Sequence, residues 1–452
     1  MSLPRGLLPA GAFTMRPVWL ASRVQGLIAM VCAALVAVYL LQIRTPLRLN
    51  GDATVLLGLG ESLASTGVYP GQSSHFPPGQ PFLLAVLIRL GIASSATFVA
   101  LNLGFLSVGL TSTYLLARRS IGLAASYSLG VCAATLLNWT FIKHVTLPLS
   151  DLPFFGLATA ALAVSWASSR LAGYRRALVW CAGAALVAAA IMTRTIGVVL
   201  LPSLLVALGS SGLHTRPRLS FRSRWWLRRL LPLCALLAVL VIGAIAALGK
   251  QYMVEAAQTY GQMGGLYAAI WIPRQRMLEA GQLLLDLPLS QLPSLAQPVV
   301  LLAGATGLMA LGVQLASRWS REPIVATFVM SYLIVLLVWP YADTRFWIPL
   351  LPFVLAYLVK FAHTALTARQ RIVAITVSSV WLLVVGGTAL AYSTRLSFAG
   401  DAFAELYGDE STHLVYSVAF HHLPASAELA QGEDGEEVRL LQRFEPRASN
   451  AS

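Results

Sequence analysis

Residues 24–54 read VQGLIAMVCAALVAVYLLQIRTPLRLNGDAT. The stretch from Val24 to Ile43 carries no charge. It matches the roughly 20 apolar residues a helix needs to cross a bilayer. Arg44 and Arg48 end the run, and Gly51-Asp52 leads into a helix-like stretch. A cleaved leader has a shorter apolar core and a small-residue cleavage site. Arg44-Thr-Pro-Leu-Arg48 offers no such site, so the stretch reads as an uncleaved first transmembrane helix.

The rest of the chain continues in the same way. Hydrophobic residues make up 57% of it and charged residues 11%, with a mean hydropathy of +0.72. A soluble domain carries about 25% charged residues. The net charge of +14 is spread in short clusters between apolar runs, as in loops held at a membrane surface, and nucleic acid is excluded as a partner. Cys32, Cys132, Cys181 and Cys234 each lie inside an apolar run without metal-ligand spacing. They read as small buried hydrophobes.

Further spans are expected near 96–117, 121–139, 150–168, 177–193, 195–210, 229–249, 297–317, 323–340, 346–366 and 372–393. With the first helix this predicts an all-α polytopic membrane protein of about eleven transmembrane helices. Placing the N-terminus in the cytoplasm puts 19 of the 32 basic residues on short inner segments or the helix ends beside them, as the positive-inside rule requires. The C-terminus then lies outside, and the expected location is a bacterial inner or plasma membrane. Residues 1–393 form the transmembrane domain, with outer loops at 44–95 and 250–296. Residues 394–452 form a short outer tail, with disorder expected from Gln431 onward because that stretch is polar. The apolar run 82–91 is too short to span and is expected in the interface.

Ten of the eighteen Asp and Glu residues fall from Asp401 to the end. Of the eight before it, only Glu322 maps to the cytoplasmic side. Asp52, Glu61, Asp151, Glu255, Glu279, Asp286 and Asp343 all map outside, beside Lys143, Arg194, Lys250, Arg274, Arg276 and Arg345. A carboxylate near hydrocarbon is costly, so acids gathered at one membrane edge point to a task or a partner. Asp52 hangs over the outer mouth as a candidate general base or metal ligand, with helix capping as the competing role. Asp151, in Ser150-Asp151-Leu-Pro153, faces the same choice. Arg194 and Arg345 suit a multi-point grip on phosphate, and Lys143 is a third candidate. Glu61, Tyr69, His75, His144, Tyr341 and Asp343 complete the candidate substrate-binding set. The Trp and Tyr around Arg345 read as an interfacial belt.

Gly51-Asp52, Ser62-Leu-Ala, Gly67-Val-Tyr69 and Pro77-Pro78-Gly79-Gln-Pro81 resemble the first outer loop of GT-C glycosyltransferases. More narrowly, they are similar to the protein O-mannosyltransferase and lipid A aminoarabinose transferase group. Ser150-Asp151-Leu-Pro153, Thr193-Arg194-Thr-Ile-Gly197 and Arg345 followed by Pro349 and Pro352 fit the same resemblance. It covers about residues 20–360. The resemblance implies transfer of a sugar from a polyprenyl-phosphate donor to an acceptor at the outer face, with inversion. The family's first-loop acid maps onto Asp52, the expected base; Asp151 is the second catalytic candidate, and Arg194, Arg345 and Lys143 suit the charge that grows on a departing phosphate. The acceptor, whether lipid, glycan or protein, is left open. Ala53 and Thr54 follow Asp52 where the family often has a second acid, a departure that counts against a two-carboxylate or metal-bound version; no cofactor is certain, and a divalent metal is left open. The competing function is a secondary transporter or lipid flippase. That reading fits less well because such proteins place charges near the bilayer midplane.

Overall fold

The computed structural model describes residues 18–69, 76–209, 254, 256–288, 290, 292–399, 402–407, 410–421 and 433–445. His75, Lys250, Glu255, Cys234 and the expected span at 229–249 lie outside the described residues. The described chain is helical. In order, the helices are α1 Val18–Leu41, α2 Gly51–Thr66, α3 Gly79–Arg89, α4 Ser95–Arg119, α5 Ala125–Leu137 and α6 Trp139–Val145. They are followed by α7 Asp151–Ser168, α8 Gly173–Thr193, α9 Leu200–Gly209, α10 Gly265–Leu285, α11 Gln297–Arg318, α12 Pro323–Val338, α13 Leu351–Ala365 and α14 Ala368–Ser397. The C-terminal segment adds α15 Phe403–Leu406, α16 Glu410–His421 and α17 Glu433–Phe444.

Five of the eleven expected spans coincide with helices long and apolar enough to cross a bilayer: Gln25–Arg44, Ser95–Arg119, Gly173–Thr193, Ser294–Arg318 and Ala368–Ser397. A sixth, expected at 121–139, is α5 and α6 together, bent by 62° at Asn138. The count of eleven is therefore not reached among the described residues. The shortfall has local causes. A helix rises 1.5 Å per residue, so the 16 residues of α12 cover about 24 Å of the roughly 30 Å hydrocarbon layer. Trp339-Pro340 stops α12, and Thr344–Trp347 forms a 3-10 turn, so that α13 starts only at Leu351. The run 82–91, expected to be too short to span, lies in the 11-residue α3.

Close packing comes from small residues, as in other membrane bundles. On α7, a Cβ at Gly156 would come within 2.6 Å of the Phe105 carbonyl on α4. Gly109 on α4 leaves the space that the Phe155 ring fills. The main core gathers residues from α1 and α4 to α14, including Phe154, Phe155, Tyr332 and Phe353.

A second, smaller core sits beneath the first loop. It joins Leu47, Leu49, Leu56 and Leu57 to Phe403, Tyr416, Leu440, Leu441 and Phe444. The polar end of the chain is thus not disordered throughout, because Glu433–Phe444 is a helix. Its Val438, Leu440, Leu441 and Phe444 are buried. They recur at the spacing of one helical face, a pattern masked by the surrounding charges.

Candidate functional site

Asn50 begins the site, because its side-chain oxygen accepts from the Ala53 N–H at 2.9 Å and caps α2. Capping is therefore Asn50's role, and Asp52, in the first turn, has its carboxylate free for other work. That carboxylate pairs with Arg345. Asp343 caps the 3-10 turn that carries Arg345, accepting from its backbone N–H at 2.9 Å. It also meets the Arg345 Nε at 2.8 Å. One guanidinium thus bridges two carboxylates from opposite ends of the chain.

A parallel pair stands beside it. Asp151 lies in the first turn of α7 and is 2% exposed, and its carboxylate pairs with Arg194. Ser150, the residue before the helix, makes no side-chain cap. Arg194 breaks α8 by adopting an extended conformation, φ −147° and ψ 130°, before the Thr195–Val199 turn. The Phe346 ring gathers the two arginines: Arg194 lies 5.3 Å and Arg345 5.6 Å from its centroid. Such cation–π contacts hold guanidinium groups without neutralising them.

His144 lies within electrostatic reach of Lys143, Arg194 and Arg345. Its ring Nδ1 stands 2.6 Å from the Thr140 carbonyl, and its buried ring leaves it a structural contact. Lys143 is exposed on α6. The segment between α6 and α7 is pinned by Asn102, whose amide donates to the Val145 carbonyl at 3.0 Å and the Leu147 carbonyl at 2.7 Å. Asp52, Asp151, Asp343, Arg194 and Arg345 therefore converge, with Lys143 and His144 alongside.

Other expected residues have partners outside this cluster. Glu61 is taken up by ion pairs with Arg439 and Arg443 of α17. The Tyr69 hydroxyl donates to the Phe76 carbonyl, closing its own loop. The Tyr341 hydroxyl stands 3.2 Å from the Thr259 hydroxyl.

Some partners were invisible in the sequence. Trp347 is not a belt residue. It is 2% exposed, and its indole N–H donates to Glu279 at 2.8 Å. Glu279 in turn pairs with Arg276, which also donates to the carbonyls of Trp339 and Tyr341. This buried brace ties α10 to the segment that presents Arg345. The (i, i+3) spacing of Arg276 and Glu279 was the available signal. Gly79 is a second hidden link, because a Cβ there would fall 2.5 Å from the Met192 carbonyl. Only glycine lets α3 approach the backbone just before Arg194.

The chain is similar to two solved structures of ArnT from Cupriavidus metallidurans, one bound to undecaprenyl phosphate and one in the apo state. Identity is 14% in both, with 93% of this chain and 75% of the ArnT chain covered. The TM-scores are 0.47 and 0.48 respectively. No family model matches the chain, and no curated protein matches it.

Among the described residues, no three His, Cys, Asp or Glu side chains gather as metal ligands. Two of the cluster's carboxylates, Asp52 and Asp343, are both engaged by Arg345.

Proposed function

We propose that this protein is a membrane glycosyltransferase that moves a sugar from a polyprenyl-phosphate donor to an acceptor hydroxyl at the outer face, with inversion. The observation that carries the reading is the paired arrangement of Asp52 with Arg345 and Asp151 with Arg194 around Phe346. It sets a carboxylate of the helix-edge loop against two guanidinium groups suited to phosphate.

Asp52 is the general base. As the acceptor oxygen attacks the anomeric carbon, its proton passes to the Asp52 carboxylate. The bond from the anomeric carbon to the phosphate oxygen breaks, and the polyprenyl phosphate leaves with the bond's electrons. Attack on the face opposite that bond gives inversion. Arg194 and Arg345, with Lys143, are placed to meet the growing negative charge, and such preset cations lower the barrier. Asp151 holds Arg194 in position, and Asp343 holds Arg345. No step in this scheme requires a metal. The polyprenyl chain lies among apolar helices, which accounts for a transferase embedded in the membrane.

The test is purified protein in lipid nanodiscs, given labelled polyprenyl-phosphate sugar and a mixture of lipid, glycan and peptide acceptors. Label appearing on an acceptor without any ion gradient supports the reading. Gradient-driven movement of lipid or solute without transfer would replace it with transport.

A further inference from the structure

The five residues that lead into α2 have no secondary structure, yet the first four are buried, and Leu47, Arg48 and Leu49 each meet residues from the far end of the chain. Glu445 accepts the Leu47 N–H at 2.7 Å across 398 positions. The Tyr416 hydroxyl donates to the Leu47 carbonyl at 3.0 Å and accepts the Leu49 N–H at 2.8 Å. Arg48 donates to the Ser393 carbonyl at 3.0 Å, and its guanidinium lies 5.7 Å from the Phe403 ring centroid and 5.6 Å from that of Tyr407. Glu445 is 2% exposed and Tyr416 fully buried, so water cannot replace them as partners. Outside this polar grip, Glu61 of α2 is held by Arg439 and Arg443. Phe444 meets Phe98 edge-to-face with centroids 6.2 Å apart.

We propose that the C-terminal segment is a bracket for the site, with Tyr416 and Glu445 acting as positioning residues that fix where the first turn of α2, and hence Asp52, stands against Arg345. This rests on the reading of Asp52 as the base. Asp52 lies three residues beyond Leu49, and an extended loop without its own backbone pairing has many conformations to lose. Neither Tyr416 nor Glu445 approaches the Asp52–Arg345 pair in the hydrogen bonds they make. Their effect passes through the backbone of Leu47 and Leu49 and the Asn50 cap that follows.

The test uses the full chain in nanodiscs with Tyr416→Phe, Glu445→Ala and Glu445→Gln. Each variant is measured for sugar transfer and for amide exchange of residues 46–57. Tyr416→Phe and Glu445→Ala are expected to lower kcat about tenfold, the scale of one lost buried hydrogen bond, with the donor KM within about twofold. Exchange at Leu47, Leu49 and the first turn of α2 should rise, while α10 stays protected. Glu445→Gln keeps an accepting oxygen and should restore both readouts. Faster exchange with an unchanged kcat, or no change in exchange, would overturn the proposal. A fall in kcat accompanied by general loss of protection would also overturn it, because that marks a purely structural role. If the wild-type protein moved no sugar, the reading of Asp52 would fall separately, and the exchange pattern would still decide whether the bracket holds the first turn.

Discussion

Arg345 pairs with Asp52, 293 positions earlier in the chain, while also holding Asp343 two residues before it. The candidate base and a candidate phosphate-binding cation are therefore paired with each other. On the proposed reading, a donor phosphate would compete with Asp52 for the same guanidinium and leave the carboxylate to accept a proton.

Replacing Asp52 with Asn removes the base while keeping the shape of the side chain. Sugar transfer should fall by on the order of 10²–10⁴-fold, the usual contribution of a positioned base, while yield and donor binding hold. Labelled-sugar transfer at saturating donor checks this. Activity within a few-fold of wild type would remove Asp52 from the base role.

Arg194→Ala should act on two readouts at once. Donor KM rises because a phosphate contact is gone. Stability also falls, because Asp151 at 2% exposure is left as a buried charge without its main partner, a loss of about 3–5 kcal/mol. Replacing the two together, Arg194→Met with Asp151→Leu, should return the melting temperature towards wild type but leave transfer impaired. Recovery of both would show that the pair is structural only.

Gly79→Ala tests the link between the first loop and the Arg194 turn. The added methyl meets the Met192 carbonyl at 2.5 Å and the Thr193 N at 2.9 Å, so α3 must back away. Overpacking of this kind costs about 1–3 kcal/mol. Donor use should weaken more than overall yield, as measured by donor titration against expression level.

The Arg276–Glu279–Trp347 brace should be sensitive to removal of its centre. Glu279→Leu strands Arg276, which is 1% exposed, at a cost of about 3–5 kcal/mol. Trp347→Phe removes one donor and part of a buried ring but leaves the ion pair intact, and should cost less, about 1–3 kcal/mol. Thermal unfolding in detergent orders the two. Equal effects would argue against the ion pair as the centre of the brace.

The pair of Glu436 with Arg439 inside α17 should make that helix sensitive to pH and salt. Its hydrogen bond from Arg439 holds the Glu436 carboxyl below the usual 4.5. A carboxyl lowered in the folded state adds stability above its ordinary value and loses it as pH falls through the folded value. Helix α17 should therefore loosen as the pH drops below about 4.5. The effect is small because Glu436 and Arg439 are 41% and 45% exposed, and salt screens such pairs. Exchange protection of residues 433–444, corrected for intrinsic rate and followed against pH and salt, measures it. Protection unchanged by either would show that the Glu436–Arg439 pair adds nothing measurable to the helix.

Local patterns determined a good deal by themselves. Hydropathy placed the helical runs, because a segment's partition into lipid depends on its own composition. The rarity of acids before Asp401 singled out Asp52 and Asp151, and the unusual positions of Arg194 and Arg345 marked them as well. Each of these signals lies within a few residues of the position it marks.

Tertiary structure alone decided the pairings. Arg194 meets Asp151 across 43 positions and Arg345 meets Asp52 across 293, and no period in the sequence encodes such separations. It also assigned the cap to Asn50, drew Glu61 away to α17, and buried Trp347 where a belt residue was expected. The apparent disorder at the C-terminus had the same cause. Helix α17 is polar by composition and holds its place through an apolar face in the cluster with Leu47, Leu49 and Phe98 and through Arg439 and Arg443 on Glu61, partners that meet only once the chain has folded.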